Sequence, residues 1–251
     1  SAVQTAAYYL RSSNISVLAP NLRHHGGNGG LKRQVLRWQN QELDILGAWD
    51  YAVGDPEGLL GGPLDDHLVG LMGFDFGAFG VQLAYGLEPR IPSMFLDGAV
   101  TKLRELLRQK IELRLSAWLV WMFDEQAWTE WKDLVHRDLD KELRTSILKD
   151  RAKPGFIAIT HCKQDTFVPL AQSEMLVDEL SSIALTGLMQ WYPDFHGPST
   201  CKRKSECYME QPEEYKAFLC SFWSRVFDEA ASGDRMSPRC RDFGLPPGLS
   251  S

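Results

Sequence analysis

The chain has 251 residues and a mass of 28.4 kDa, with 44% hydrophobic and 24% charged residues. This is enough apolar material for one sizeable core, and it excludes a disordered chain. The formal net charge of −6 and the pI near 5.5 argue against a nucleic-acid-binding protein, which needs a basic surface. No apolar run approaches the roughly 18 residues that a membrane-spanning helix requires, so we expect no membrane span.

The five cysteines are scattered along the sequence, and none forms a C-x-x-C pair. An odd, unpatterned set predicts neither a zinc site nor a disulfide framework, and it favours a reducing compartment such as the cytoplasm. One local bridge between Cys201 and Cys207 stays open as an alternative. We find no motif for a cofactor or for a metal ion, and we expect a small molecule as the partner.

The sequence does not begin with Met, and residues 1–11 already have the apolar spacing of a helix. They contain no charged segment followed by an apolar stretch, so they do not form a signal peptide. We therefore expect the chain to begin inside a larger domain, which leaves open a targeting signal upstream.

Strands and helices are predicted to alternate along most of the chain. Such alternation favours a mainly parallel sheet that is covered by helices on both faces. Strands are predicted at residues 15–19, 67–72, 93–96, 156–160 and 185–191, and helices at residues 34–53, 76–84, 171–180 and 212–227.

Residues 101–151 interrupt this alternation with a helical pattern and no clear strand. They contain Trp118, Trp121, Trp128 and Trp131. We expect helices that pack on something other than the main sheet, and Trp side chains in such a pattern are more often core than ligand contacts. The segment from residue 232 onward is rich in Ser, Arg, Pro and Gly and predicts a flexible C-terminal tail.

The most informative segment is residues 73–77, which read G-F-D-F-G between a predicted strand and a predicted helix. This is the pattern of a nucleophile elbow, in which a sharp turn lifts the central side chain clear of the sheet. Glycines are expected two residues before and two after it because a Cβ there would clash. The central residue is Asp75, and a carboxylate can attack an alkyl carbon to give an ester. The alternative is an ordinary Gly-rich turn of a parallel α/β protein.

From Ser1 to about Phe227, the chain resembles the α/β-hydrolase superfamily. Several motifs, which follow one another in the family's order, carry the resemblance. Residues 17–26 (V-L-A-P-N-L-R-H-H-G) are similar to the family's A-P-D-x-R-G-x-G, and the elbow follows. Residues 95–99 (F-L-D-G-A) are similar to the next strand end. Residues 160–169 (T-H-C-K-Q-D-T-F-V-P) are similar to H-G-x-x-D-x-x-V-P, and residues 210–215 (E-Q-P-E-E-Y) to the E-x-P-E-x-F start of the last helix.

The resemblance implies an α/β-hydrolase fold, with a mainly parallel sheet, helices on both faces and a helical cap. The core would comprise residues 1–100 and 152–231, the cap residues 101–151, and the tail residues 232–251. The family's first strands and the loop that donates one oxyanion-hole N–H group have no counterpart here, so the resemblance also implies an N-terminally truncated chain.

The same resemblance implies a catalytic triad. Asp75 would be the nucleophile, Asp165 the acid and His196 the base, and the backbone N–H of Phe76 would be an oxyanion donor. Asp97, at another strand end, is the alternative acid. A plain turn residue is the alternative for Asp165. The pocket would be lined by Phe74, Trp118 and Trp121.

The position of His196 leaves two possibilities open. The family places its His about seven residues before the Pro of the last helix, whereas His196 lies sixteen residues before Pro212. Either the loop carries an insertion or the base has been lost.

The implied function is hydrolysis of a small, largely apolar substrate at an ester, epoxide or carbon–halogen bond. An Asp nucleophile is similar to that of haloalkane dehalogenases and epoxide hydrolases, although Phe76 offers no side-chain donor for a halide and residues 101–151 contain no Tyr. The alternative is a catalytically inactive ligand-binding protein. A serine-type esterase is disfavoured by Asp75.

Overall fold

The structure is a computed structural model of the chain, and it describes residues 2–23, 40–106, 129, 155–165, 167–181, 187–193 and 211–230. The predicted tail and most of the predicted cap lie outside the described residues. No helix in the described part of the chain is long and apolar enough to cross a membrane.

Apart from residues 15–19, the described helices and strands follow one another in the predicted order. A short 3-10 turn (Asp66–Leu68) precedes the first strand. The elements are α1 (Ala2–Ser12), α2 (Gln41–Gly54), β1 (Leu71–Phe74), α3 (Phe76–Leu87), β2 (Ser93–Asp97), β3 (Phe156–Thr160), α4 (Leu170–Leu180), β4 (Gly187–Trp191) and α5 (Pro212–Ala230).

The four strands form one parallel sheet in the order β1-β2-β3-β4. The residues of β2 and β3 are all buried, as expected for strands that are covered on both faces, whereas β1 and β4 are only partly buried. The last residues of the strands are in register across the sheet, so that Phe74, Asp97, Thr160 and Trp191 form one row at its carboxyl edge.

Two apolar cores lie on opposite faces of this sheet, because successive strand residues point in opposite directions. Leu96 and Ile159 face the core that includes α2, α3 and α4. Phe95 and Ala158 face the core that includes α1 and α5. The described elements therefore form three layers, with helices on both sides of the sheet, as the sequence predicted.

The predicted strand at residues 15–19 is wrong. These residues follow α1 without regular structure, and Val17 and Leu18 are exposed by 38% and 46%. Ile15 packs against the core of α1 and α5, but the segment pairs with none of the described strands. Residues with high strand propensity form a strand only when a neighbouring strand satisfies their backbone.

Two other predicted boundaries also differ. The described helix α2 begins at Gln41, after Asn40, whose φ of 60° interrupts a right-handed helix; residues 34–39 of the predicted helix lie outside the described residues. The strand predicted to start at residue 67 begins at Leu71, because the side chain of Asp65 accepts the N–H of His67 and closes the 3-10 turn.

Candidate active site

Asp75 is the single residue between β1 and α3. Its φ of 49° and ψ of −119° lie outside the regions that L-residues favour, so the turn is strained. Its backbone N–H donates to the carbonyl oxygen of Asp97 at 2.9 Å, and its own carbonyl oxygen accepts the N–H of Ala78 at 3.0 Å. The chain therefore passes from strand to helix within one residue, as the glycine pattern predicted.

The two glycines that flank Asp75 differ in how much space surrounds them. A Cβ on Gly73 would lie 2.7 Å from both the Cα of Ala78 and the carbonyl oxygen of Gly77, which are backbone atoms that cannot move aside. A Cβ on Gly77 would meet nothing within 4 Å. The expectation of crowding is confirmed before the elbow and is wrong after it, because Gly77 is already part of α3 and its Cβ position faces open space.

The carboxylate of Asp75 lies beside Gly98, the residue that follows β2. The residue is half-buried, its Oδ1 is buried, and a Cβ on Gly98 would come within 3.1 Å of that oxygen. The carboxylate does not cap α3. Gly98 has a φ of 68°, a conformation that glycine adopts without strain. The glycine at residue 98 therefore leaves room for the Asp75 side chain along the carboxyl edge of the sheet.

Asp97, the alternative acid, is buried beneath this turn, with an exposure of 2%. Its Oδ2 accepts the hydroxyl of Tyr215 at 2.8 Å. Burial raises the pKa of Asp97 well above its usual range, the charges of Asp75 and Asp165 raise it further, and the hydrogen bond from Tyr215 acts in the opposite direction. The Asp97 carboxyl therefore faces α5 and binds its proton more tightly than an exposed carboxyl does.

Asp165 lies in the loop between β3 and α4, and one of its carboxylate oxygens closes a turn. Oδ1 accepts the N–H of Phe167 at 2.6 Å and that of Val168 at 3.0 Å. This is the turn chemistry that was the alternative for this residue. A role as triad acid would use the other oxygen.

His161, which is fully buried, contacts both the loop that carries Asp165 and the helix α4 that follows it. Its Nε2 lies 2.8 Å from the carbonyl oxygen of Val168, and its Nδ1 lies 2.6 Å from the hydroxyl oxygen of Ser173 in α4. Burial lowers the pKa of His161, while the Val168 carbonyl and the charges of Asp165 and Glu174 act to raise it. Both ring nitrogens are thus engaged in fixing the loop that carries Asp165.

The two phenylalanines next to Asp75 in the sequence, Phe74 and Phe76, pack against different parts of the molecule. Phe76, the predicted oxyanion residue, makes an edge-to-face contact with Phe167 of the Asp165 loop, with ring centroids 5.7 Å apart. Phe74, a predicted pocket residue, is half-buried and packs against the core of α1 and α5. The Phe76 contact joins the elbow to the predicted acid loop.

The structure thus brings Asp75, Asp97 and Asp165 together at the carboxyl edge of the sheet, close enough for their charges to interact. The predicted base His196 and the predicted pocket residues Trp118 and Trp121 lie outside the described residues.

Two features of the site were missed by sequence reasoning. One is the hydrogen bond from Tyr215 to Asp97; its signal was the tyrosine in the E-Q-P-E-E-Y motif, one turn into α5. The other is a buried amide contact at the point where the predicted cap leaves the core. There the side-chain oxygen of Gln172 accepts the N–H groups of Thr101 and Lys102 at 2.9 and 2.7 Å.

The described residues bring three potential metal ligands together in one other place. Carboxylate and imidazole atoms of Asp65, Asp66 and His67 lie within 4.8 Å of one another. They occupy the turn before β1, at the end of the sheet opposite Asp75, and Asp65 and His67 are exposed. This group therefore plays no part in the chemistry of the elbow.

No family model and no curated protein matches the sequence. Among solved structures, the chain is similar to the Pyrococcus furiosus esterase Pf2001, with a TM-score of 0.60 and 18% identity over 88% of this chain and 75% of that one. It is also similar to acetyl xylan esterase 1 from Thermoanaerobacterium, with a TM-score of 0.52 and 16% identity over 89% and 70%.

A third similar structure is the acetyl ester-xyloside bifunctional hydrolase from Caldicellulosiruptor lactoaceticus, with a TM-score of 0.52 and 15% identity over 89% of this chain and 74% of that one. At such identities the likeness concerns the fold alone. Together with the parallel sheet, its two helical layers and the strand-to-helix turn at Asp75, it shows that the chain has the α/β-hydrolase fold.

Proposed function

We propose that the chain is a hydrolase that attacks a small, largely apolar substrate through the carboxylate of Asp75. The observation that carries the proposal is the backbone conformation of this residue, whose φ of 49° and ψ of −119° place it in a strained turn at the carboxyl edge of the sheet. Strain of this kind costs about 1–3 kcal/mol, and it is typical of functional positions. Asp165 is proposed as the acid and His196 as the base.

The surroundings of Asp75 support a nucleophile more than a structural carboxylate. The side chain does not cap the helix that begins at the next residue. The N-terminus of α3 carries a partial positive charge that favours the ionised form of a nearby carboxylate. The loop bearing Asp165 is fixed against the elbow by the contact of Phe76 with Phe167.

The proposed reaction has two steps. An oxygen of Asp75 bonds to the substrate carbon, and the bond from that carbon to the leaving atom breaks. A halide departs with the electron pair of that bond, whereas an epoxide oxygen keeps the pair, stays on the product and takes a proton from water. His196 then takes a proton from water, and the water oxygen attacks the Asp75 carbonyl carbon. The bond from that carbon to the product oxygen breaks, the product oxygen takes the proton from His196 and leaves as an alcohol, and the remaining carboxyl proton passes to solvent, which restores the carboxylate. Of the three bonds considered, epoxides and alkyl halides suit this nucleophile best, because attack on an acyl carbon would produce a reactive anhydride.

The experiment is a single turnover in heavy-oxygen water, with the chain in excess over styrene oxide, 1-chlorohexane or 4-nitrophenyl acetate. In the proposed route the product takes its new oxygen from Asp75, and the water oxygen enters the carboxylate. Mass spectrometry should therefore find the label in the peptide that contains Asp75 and none in the first product. Asp75→Asn should abolish turnover, and Asp50→Asn on the exposed face of α2 serves as the matched control.

Two results would contradict the proposal. A labelled first product with an unlabelled Asp75 peptide would mean that water attacks the substrate directly. Tight binding of a substrate without turnover would favour the alternative, a catalytically inactive ligand-binding protein.

A further inference from the structure

The pair formed by Asp97 and Tyr215 lies directly beneath the elbow and has no part in the two-step reaction. Both residues are buried, and the Tyr215 hydroxyl donates to Asp97 Oδ2 at 2.8 Å. The bond joins the carboxyl end of β2 to the first turns of α5. It is therefore a polar link inside an otherwise apolar interface between the sheet and a helix.

Two contacts connect this end of β2 to Asp75, and a third holds it to β3. The backbone carbonyl of Asp97 accepts the N–H of Asp75 at 2.9 Å. The next residue, Gly98, lies against Asp75 Oδ1, since a Cβ there would come within 3.1 Å of that oxygen. Gly98 in turn donates its N–H to the carbonyl oxygen of Thr160 at 2.9 Å. A shift of β2 at residue 97 would thus move both the backbone and the carboxylate of Asp75.

We propose that Asp97 and Tyr215 are positioning residues for the Asp75 carboxylate: their hydrogen bond fixes the end of β2 on which the elbow rests. This inference rests on the proposed role of Asp75 as nucleophile. It assigns Asp97 a task different from that of triad acid, because the Asp97 carboxyl is directed to Tyr215 within the core.

The charge environment of Asp97 agrees with this task. Burial, Asp75, Asp165 and the nearby Cys162 all raise the pKa of Asp97, and only the Tyr215 hydrogen bond lowers it. A neutral carboxyl can accept the Tyr215 hydroxyl without placing a second negative charge beside the nucleophile. An amide has the same shape and is neutral, so Asp97→Asn should preserve the link.

The test measures the reactivity of Asp75 directly and does not require turnover. The probe is 1,2-epoxy-3-(4-nitrophenoxy)propane, whose terminal carbon bonds to a carboxylate oxygen while the epoxide C–O bond breaks and the resulting alkoxide takes a proton from water. The reaction is run in heavy-oxygen water. An intact adduct adds the whole probe to one peptide, and an adduct that the chain hydrolyses leaves heavy oxygen in the Asp75 carboxylate. The sum of the two, followed by mass spectrometry from pH 4 to 8, gives the rate of alkylation.

Asp97→Ala should slow alkylation of Asp75 on the order of tenfold to a hundredfold, the size of effect expected for a misplaced reacting group. Tyr215→Phe should cause a smaller loss. Asp97→Asn should retain the most reactivity and leave the pH of half-maximal rate unchanged. Ser93→Ala is the matched control, because Ser93 is buried at the opposite end of β2, and all variants are compared at a temperature at which they are folded.

The outcomes are distinguishable from those of the proposed function. Equal alkylation rates in Tyr215→Phe, Asp97→Asn and Ser93→Ala, all at the wild-type level, would overturn the positioning role even if turnover is found. A large fall in the pH of half-maximal rate for Asp97→Asn would also overturn it, since Asp97 would then be a charged neighbour. If the wild-type chain shows neither a probe adduct on Asp75 nor heavy oxygen in its carboxylate, both proposals are overturned. Labelling without turnover on any substrate would contradict only the hydrolase.

Discussion

Phe76 and Phe167 meet edge to face, with ring centroids 5.7 Å apart. One follows the elbow residue directly, and the other lies two residues after Asp165, so this contact sets the separation of the two segments that carry the proposed nucleophile and acid. Edge-to-face pairs add about 0.5–1.5 kcal/mol to the burial of the rings. The carboxyl edge of the sheet is therefore held together by packing between loops as well as by the strands.

The two glycines around the elbow provide the first prediction. Gly73→Ala should destabilise the fold by about 2–3 kcal/mol and remove any activity, because its Cβ would lie 2.7 Å from backbone atoms. Gly77→Ala should be neutral or stabilising by up to about 1 kcal/mol, since its Cβ meets nothing within 4 Å and alanine favours the helix. Urea unfolding of both variants measures the difference. Equal destabilisation would contradict the described turn.

The second prediction concerns the stability of the fold above pH 4. The pKa of Asp97 is raised in the folded chain, so the folded state binds the proton more tightly than the unfolded state. Its contribution is complete below the ordinary pKa of about 3.9 and is lost as the pH rises toward the folded value. Asp97→Asn should remove this loss.

The measurement is the free energy of unfolding in urea at several pH values from 4 to 8. The difference between the wild-type chain and Asp97→Asn should change with pH in favour of the variant. Ser93→Ala alters no titratable group and should run parallel to the wild type. A wild-type curve that parallels Asp97→Asn would show that the carboxyl is ionised throughout.

The third prediction concerns His161, whose contribution to stability is lost as the pH falls, whereas that of Asp97 is lost as the pH rises. Its pKa is lowered by burial, so the unfolded state takes up the proton first as the pH falls below the ordinary value of about 6.5. Stability therefore falls on acidification through this range. His161→Gln should be less stable at pH 8 but should show a shallower decline between pH 7 and 5. Ser173→Ala, which keeps the imidazole, is the control, and an equally shallow decline in it would contradict the assignment to His161.

Gln172 provides a prediction about the start of the predicted cap. Its side-chain oxygen accepts two backbone N–H groups, from Thr101 and Lys102. Gln172→Ala would leave both donors without that acceptor, at a cost of about 2–4 kcal/mol. Gln190→Ala on the edge strand β4 removes the same side chain from a half-buried position and should cost much less. A similar loss in the two variants would show that the contact adds little.

The elements predicted best are those whose own residues show the apolar pattern of a buried strand or of a helix. Residues 156–160 form β3 as expected, and the strand predicted at 93–96 and the helix predicted at 171–180 differ by one residue from β2 and α4. The elbow at Asp75 was recognisable because it follows a strand and a glycine, Gly73, that has no room for a Cβ. In these segments local sequence and global fold agree.

Features that depend on partners distant in the sequence were not predictable. The apolar run at residues 15–19 does not form a strand, because strand formation depends on a neighbour and the run contains no information about one. The link from Tyr215 to Asp97 joins residues that are 118 positions apart, and only the packing of α5 on the sheet reveals it. The crowding expected at Gly77 was wrong because the helix begins one residue earlier.

The positive φ of Asp75 also has a consequence for how the chain responds to substitution. Glycine would adopt this φ without penalty, so Asp75→Gly should raise the melting temperature even though it deletes the proposed nucleophile. A site at which the most stabilising residue is also the inactivating one marks a trade-off between stability and chemistry. The rise in melting temperature of this one variant would measure the stability that the fold loses by having a side chain at residue 75.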